Sequence, residues 1–320
     1  MPIIDMPLAE LQAYRGINER PADLDAYWDR ALAEMEALGT GCRLIPADFR
    51  VPGTECFNLF FTGAGGAQIH ARFVRPAGAA RVPAVLHFHG YSGSCASFSE
   101  LLRWSAVGFC AASMDCRGQG GLSEDTGRVR GNTLHGQIIR GLADEDPDKL
   151  YFRAVFLDAA QLARILMAMP EVDETRVGAY GGSQGGGLTL ACAALTPGLN
   201  RAAPHMPFLC DYRRVWEMDL DVDAYAELRE YFRHSDPLHL REREVFTRLG
   251  YIDNQHLAGR IRARVRMYTG LLDTICPPSS QFAAYNKITA PTEMRLYPDF
   301  AHEWYPGLDD DTMQFMLGMR

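Results

Sequence analysis

The chain has 320 residues, 47% of them hydrophobic and 22% charged, with a net charge of −8. This is the composition of an ordinary soluble globular protein, and its acidic balance argues against a nucleic-acid or anionic-membrane partner, which needs a basic face. Length alone points to about two domains, but α/β folds often pass ~250 residues as one unit.

The start, "MPIIDMPLAELQAYRG", lacks the basic segment and apolar region of a secretory signal. No apolar run approaches the ~18 residues that read as a membrane span. A soluble, cytoplasmic protein is therefore expected. Residues 1–40 read as a polar N-terminal helical extension. In "RPADLDAYWDRALAEMEALG", Pro21 lies near a helix start, acidic residues follow it, and Gly39 marks the stop. "NLFFTGAGGAQIHARFVRP" (58–76) reads as a hairpin of two strands joined by a glycine turn. "VPAVLHFHG" (82–90) is a short continuous apolar run ending in glycine, the pattern of a strand buried on both faces.

From there the alternation is regular. A helix in "SFSELLRWSAVG" precedes the strand "FCAASMDCRG", and after a polar loop a long helix, "YFRAVFLDAAQLARILMAMP", runs to Pro170. The strand "RVGAY" (176–180), a glycine cluster and the helix "GLTLACAALTP" follow. "RARVRMYTGLLD" and "PTEMRLYPDF" supply two later strands with the helix "SSQFAAYNKI" between them. Strand, helix, strand at these spacings predicts an α/β fold with a mostly parallel sheet covered on both faces. Residues 211–260 are charged and helical in pattern, so they are expected to form a helical insertion, or cap, before the last two strands. The whole chain, 1–320, reads as a single domain.

Eight scattered cysteines without a C-x-x-C pair read as reduced thiols, several in the core. No H-E-x-x-H spacing or cysteine pair supports zinc, and no cofactor motif is present.

The segment "GAYGGSQGGGL" places a serine at the end of a strand and the start of a helix. Gly181-Gly182-Ser183-Gln184-Gly185 fits G-x-S-x-G, in which the serine sits on a strained turn and small neighbours let strand and helix approach. A glycine-rich turn is the plain alternative. The phosphate-loop pattern G-x-G-x-x-G fails for want of a glycine at 183, and no G-K-[ST] follows. A nucleophilic serine needs an acid and a base, in the order Ser, Asp, His for this architecture. His70, His87 and His89 precede the serine; His135, His205, His234, His239 and His256 read as loop or insertion residues. His302, in "YPDFAHEWYP", falls in a loop after a late strand, where the base belongs. Asp273, in "YTGLLDTICPPSS", ends a strand after the serine, with Asp253, Asp299 and Asp309 as competitors. The implied division is attack by Ser183, proton transfer by His302 and orientation by Asp273. The amide of Gln184 at the helix N-terminus, and that of Tyr91 in "HFHGYSG", are the expected oxyanion donors, a plain turn at His89-Gly90 being the alternative for the second.

The motifs "MPLAELQAYRG", "RPADLDAYW", "HFHGYSG", "DCRGQGG", "GNTLHGQIIRGL", "GGSQGGG", "DTICPPSSQFAAYN" and "FAHE" together resemble carbohydrate esterase family 7, the acetyl xylan esterases and cephalosporin C deacetylases of the α/β-hydrolase fold. The resemblance covers nearly the whole chain. It implies a triad of Ser183, Asp273 and His302, an oxyanion hole of the Tyr91 and Gln184 amides, and supporting roles for Arg117, Gly118 and Gln119 of R-G-Q and for Glu303 of H-E. Arg117 and Glu303 are expected to brace loops rather than take part in the chemistry. Ala301, where glycine is common, and Leu122 depart from the pattern away from the reacting groups. The resemblance further implies small acetylated substrates and a homo-hexamer built as a trimer of dimers. A lipase, carboxylesterase or peptidase of the same fold, and a catalytically silent binding protein, are the competing readings.

Overall fold

The computed structural model describes residues 4–131, 133 and 136–320. Nine strands form one sheet in the order β1-β2-β3-β5-β4-β6-β7-β8-β9: β1 (Cys42–Pro46), β2 (Thr54–Thr62), β3 (Gln68–Pro76), β4 (Val82–Phe88), β5 (Cys110–Met114), β6 (Val172–Gly182), β7 (Arg201–His205), β8 (Arg264–Gly270) and β9 (Thr292–Tyr297). β1, β2, β3 and β5 pair antiparallel in succession; every pairing from β5 through β9 is parallel. The hairpin expected at 58–76 is β2–β3, in register from Thr54↔Pro76 to Thr62↔Gln68.

The apolar runs form strands buried on both faces because alternate side chains enter different cores. Ala84, Leu86 and Phe88 of β4 join Ala112 and Met114 of β5 on one face, against helices Leu24–Glu36, Tyr151–Ala168 and Gln184–Leu195. Val85 and Ala111 point to the other face, against helices Phe98–Ala106 and Leu308–Leu317. Helix Gln184–Leu195 is buried along its entire length, which its mostly apolar and small-residue sequence permits, with Gln184 and Thr189 hydrogen-bonded.

Two strands have no clear signature in the sequence. β1, with its mostly exposed side chains, carries no alternation. β7, "RAAPH", is central yet contains Pro204, a residue that argues against a central strand because it donates no ladder hydrogen bond. His205, read as a loop residue, is therefore corrected to the fully buried last residue of β7.

Between β7 and β8 the chain forms helices Tyr212–Glu217, Ala226–Ser235, Glu242–Leu249 and Asn254–Leu257 with short 3-10 turns. No helix among the described residues is long and apolar enough to cross a membrane. All eight cysteines are unpaired, seven of them buried and Cys42 exposed.

The topology itself points to a site. From β4 the chain steps to β5 on one side, and β6 lies on the other. The crevice beyond the carboxyl ends of β4 and β6 is thus a switch point, where open α/β sheets bind ligands.

Candidate active site

Ser183 follows β6 directly and precedes helix Gln184–Leu195. Its backbone adopts φ 56°, ψ −117°, a left-handed conformation unusual for a side chain with a Cβ. The neighbouring glycines explain how the chain turns so sharply. A Cβ on Gly181 would lie 2.4 Å from the Phe88 carbonyl oxygen, and one on Gly185 would lie 2.0 Å from the same atom. The turn is clamped by the Ser183 N–H donating to the His205 carbonyl (3.0 Å), and by the N–H groups of Gly187 and Phe208 donating to the Ser183 carbonyl (3.0 Å each).

The loop after β9 brings His302 to this serine. Its Nε2 lies 2.9 Å from Ser183 Oγ and its Nδ1 lies 2.8 Å from Asp273 Oδ2. Asp273, just past β8, is fully buried, whereas the His302 side chain stays 16% exposed. Oδ1 of Asp273 accepts the amides of Ile275 (2.9 Å) and Cys276 (2.8 Å), and Oδ2 also accepts from Gln281 Nε2 (3.3 Å). Gln281 is itself held: its Nε2 donates to the Cys276 carbonyl and its Oε1 accepts from Thr269. This arrangement suits proton transfer from a serine hydroxyl through an oriented imidazole.

The competitors lie elsewhere. Asp253 accepts the Asp211 amide, Asp309 binds Arg103 and Trp304, and Asp299 is exposed. His70 bonds Asp115, His87 bonds Ser113, and His239 bonds Glu242. His135 falls outside the described residues, as do Asn132 and Leu134 of "GNTLHGQIIRGL".

The two expected oxyanion donors arise on neighbouring strands. Gln184 opens its helix, so its N–H has no partner inside the helix. Tyr91 lies in the turn after β4, closed by the Gly93 N–H on the Gly90 carbonyl (3.1 Å). His89 pins that turn: its Nε2 accepts the Cys116 amide (3.0 Å), leaving Nδ1 protonated to donate to the Gly90 carbonyl (2.7 Å). Burial lowers the pKa of His89, in keeping with a neutral ring making both bonds.

The R-G-Q segment follows β5. Arg117 points inward, its Nε and Nη2 making a two-pronged pair with Asp158 (2.7 and 2.8 Å), and Nη2 also donates to the Ala64 carbonyl (2.9 Å). Gly118 has φ +63°. Gln119 pairs with Gln184 reciprocally: Gln119 Nε2 donates to Gln184 Oε1 (2.9 Å) and Gln184 Nε2 to Gln119 Oε1 (3.1 Å). Gln119 also donates to the Tyr151 hydroxyl (3.0 Å). Glu303, exposed, accepts the Ala301 amide (3.1 Å) within its own loop.

Among the described residues, two clusters gather three possible metal ligands each: His70, Cys95 and Asp115, and Asp273, Cys276 and His302. Internal hydrogen bonds already occupy both. Asp115 takes His70 and the Cys95 and Leu122 amides, and the second cluster holds the Ser183–His302–Asp273 chain. Burial pushes the Cys276 thiol well above its usual range, so it faces the site as a neutral group.

The sequence matches the model of the acetyl xylan esterase (AXE1) family over residues 1–319. The chain belongs to the acetyl xylan esterase family. It is 52% identical to acetyl xylan esterase 1 from Thermoanaerobacterium sp. JW/SL YS485, with 99% of each chain covered and a TM-score of 0.97. The acetyl xylan esterase from Paenibacillus sp. R4 is 36% identical, at a TM-score of 0.93 over 98% of this chain and 99% of that one. Acetyl esterase Axe7A of Xylanibacter ruminicola is 25% identical over 294 residues, 89% of this chain but 64% of that longer protein. A puromycin-hydrolyzing peptidase of Mycobacterium tuberculosis shares the fold alone, at 17% identity, 81% of this chain, 38% of that chain and a TM-score of 0.57. The family member described here thus has the α/β-hydrolase fold.

Proposed function

We propose that this protein is a serine acetyl esterase acting on small acetylated compounds, with acetylated xylo-oligosaccharides and cephalosporin C as the substrate classes its family resemblance favours. One observation carries the reading: a single imidazole lies within hydrogen-bond distance of both the Ser183 hydroxyl and the buried Asp273 carboxylate. Ser183 attacks the acetyl carbonyl carbon while His302 Nε2 takes the hydroxyl proton. The tetrahedral oxyanion is held by the Tyr91 and Gln184 amides, aided by the positive end of the helix that Gln184 opens. His302 then protonates the departing alcohol as the C–O bond breaks, leaving acetyl-Ser183. Water, deprotonated by the same imidazole, attacks that ester, and acetate leaves as the proton returns to Ser183. Asp273 holds the imidazole tautomer and stabilises its charged form throughout. Arg117, Gly118, Gln119 and Glu303 support the loops and do not touch the reacting atoms. The chain acts in the cytoplasm as a homo-hexamer, with residues 211–260 forming a cap over one end of the sheet.

Hydrolysis of p-nitrophenyl acetate, butyrate and octanoate by wild type and Ser183→Ala tests this reading. Acetate is expected to be preferred and the variant inactive. Substantial turnover by Ser183→Ala, or a preference for octanoate, would overturn it. Light scattering is expected to give six times the chain mass.

A further inference from the structure

Glu227 belongs to the helical segment between β7 and β8, in the first turn of helix Ala226–Ser235, yet it is only 5% exposed. Its Oε1 accepts the hydroxyl of Tyr91. Its Oε2 accepts the amides of Gln137 (2.6 Å) and Ile139 (3.2 Å). Gly136, at φ +81°, makes room for the approach, since a Cβ there would stand 2.9 Å from Oε2. One carboxyl group thus ties together three segments far apart in sequence, one of them the turn after β4. The Tyr91 ring is held from a second side by Phe208, edge-on at 5.9 Å, whose N–H donates to the Ser183 carbonyl. Next to these contacts lies a cavity of about 470 Å³, walled by Tyr91, Gln119, Gln137, Arg140, Glu227 and Glu230 among others.

We infer that Glu227 is a positioning residue for the oxyanion hole: by holding the Tyr91 side chain, it sets where the Tyr91 amide points. This rests on the serine-esterase reading above. A backbone donor in a loop carries no orientation of its own, and an oxyanion donor is effective only when aimed at where the charge develops. Ringed by amide and hydroxyl donors, the Glu227 carboxyl is nonetheless pushed up to about 8, chiefly by burial. Both protonation states keep the link. The carboxylate accepts from the Tyr91 hydroxyl, while the acid donates to the same oxygen and leaves its other oxygen for the two amides. Glutamine reproduces the second pattern; alanine reproduces neither.

The test is p-nitrophenyl acetate hydrolysis by Glu227→Ala, Glu227→Gln, Tyr91→Phe and the Glu227→Ala/Tyr91→Phe double variant. Rates are expressed per serine titrated with a fluorophosphonate, so unfolded protein does not count. We expect kcat to fall about tenfold or more in Glu227→Ala and in Tyr91→Phe with KM little changed, less than the loss of ~10²–10³ seen when an oxyanion donor is removed outright. Glu227→Gln should stay within about threefold of wild type, and the double variant should be no worse than the poorer single one. Wild-type kcat in Tyr91→Phe, fully multiplicative losses in the double variant, or an effect confined to KM would overturn the inference. Should Glu227→Ala not fold, Tyr91→Phe breaks the link from the other end without emptying the buried site. A wild-type enzyme that neither titrates nor turns over would instead defeat the serine-esterase reading, a distinct result.

Discussion

At φ 56°, ψ −117°, Ser183 occupies a conformation that costs a non-glycine residue roughly 1–3 kcal/mol. Glycine relieves that cost and alanine does not. Ser183→Gly is therefore expected to be more stable than Ser183→Ala by about 1 kcal/mol in urea unfolding, with both variants inactive. Equal midpoints would show that the turn is unstrained. Asp273 offers a second single-residue test. Asparagine can still accept the Ile275 and Cys276 amides, but its NH₂ facing His302 Nδ1 favours the wrong imidazole tautomer. Asp273→Asn is expected to lower kcat by on the order of 10⁴ with KM and stability little changed. A tenfold loss or less would mean that Asp273 does not orient the base.

Between elements, the buried Arg117–Asp158 pair joins the loop after β5 to helix Tyr151–Ala168, and through Ala64 to the β2–β3 turn. Removing one partner strands a charge inside the protein. Asp158→Leu is expected to cost about 3–5 kcal/mol by denaturant titration, and the double variant Arg117→Met/Asp158→Leu distinctly less. A double variant as unstable as the single one would show that the pair contributes packing and not charge. Asp158 also illustrates what the sequence conceals. R-G-Q and G-x-S-Q-G are visible as strings, and the order Ser, Asp, His orders the candidates along the chain. Strand ends tell where each side chain emerges, because an apolar run ending in glycine marks a buried strand. Asp158, Gln281, His89 and Glu227 have no such local signal. Each lies in an unremarkable helix or strand end, and Asp158, His89 and Glu227 meet partners distant in sequence only when the sheet assembles. β7 was hidden for the opposite reason: Pro204 gives a misleading local signal that parallel neighbours on both sides override.

For the molecule as a whole, acid sensitivity follows from what is buried. His205, at the end of β7, is pushed down to about 3 by burial, and among the described residues its Nδ1 has no hydrogen-bond partner. The unfolded chain binds a proton near pH 6.5 that the folded chain refuses until about 3. Stability from this residue is thus complete above 6.5 and is lost as pH falls through that window. Asp253 works the other way. Burial raises it to about 6, so its contribution is complete below the usual carboxylate value and fades as pH rises to 6. Replacing His205 with asparagine should flatten the acid limb of a stability-versus-pH curve between about 6.5 and 3. An unchanged limb would mean that other groups govern acid unfolding.

The reciprocal Gln119–Gln184 amide pair joins the loop after β5 to the start of the helix that follows Ser183, without any charge. Amides do not titrate, and counterions have nothing in them to screen. This clamp beside Ser183 therefore holds alike in dilute buffer and strong brine, and on both sides of neutrality. Any sensitivity of turnover to salt or acidity then reports the reacting groups and the charged struts farther out, while the seat of the serine stays constant.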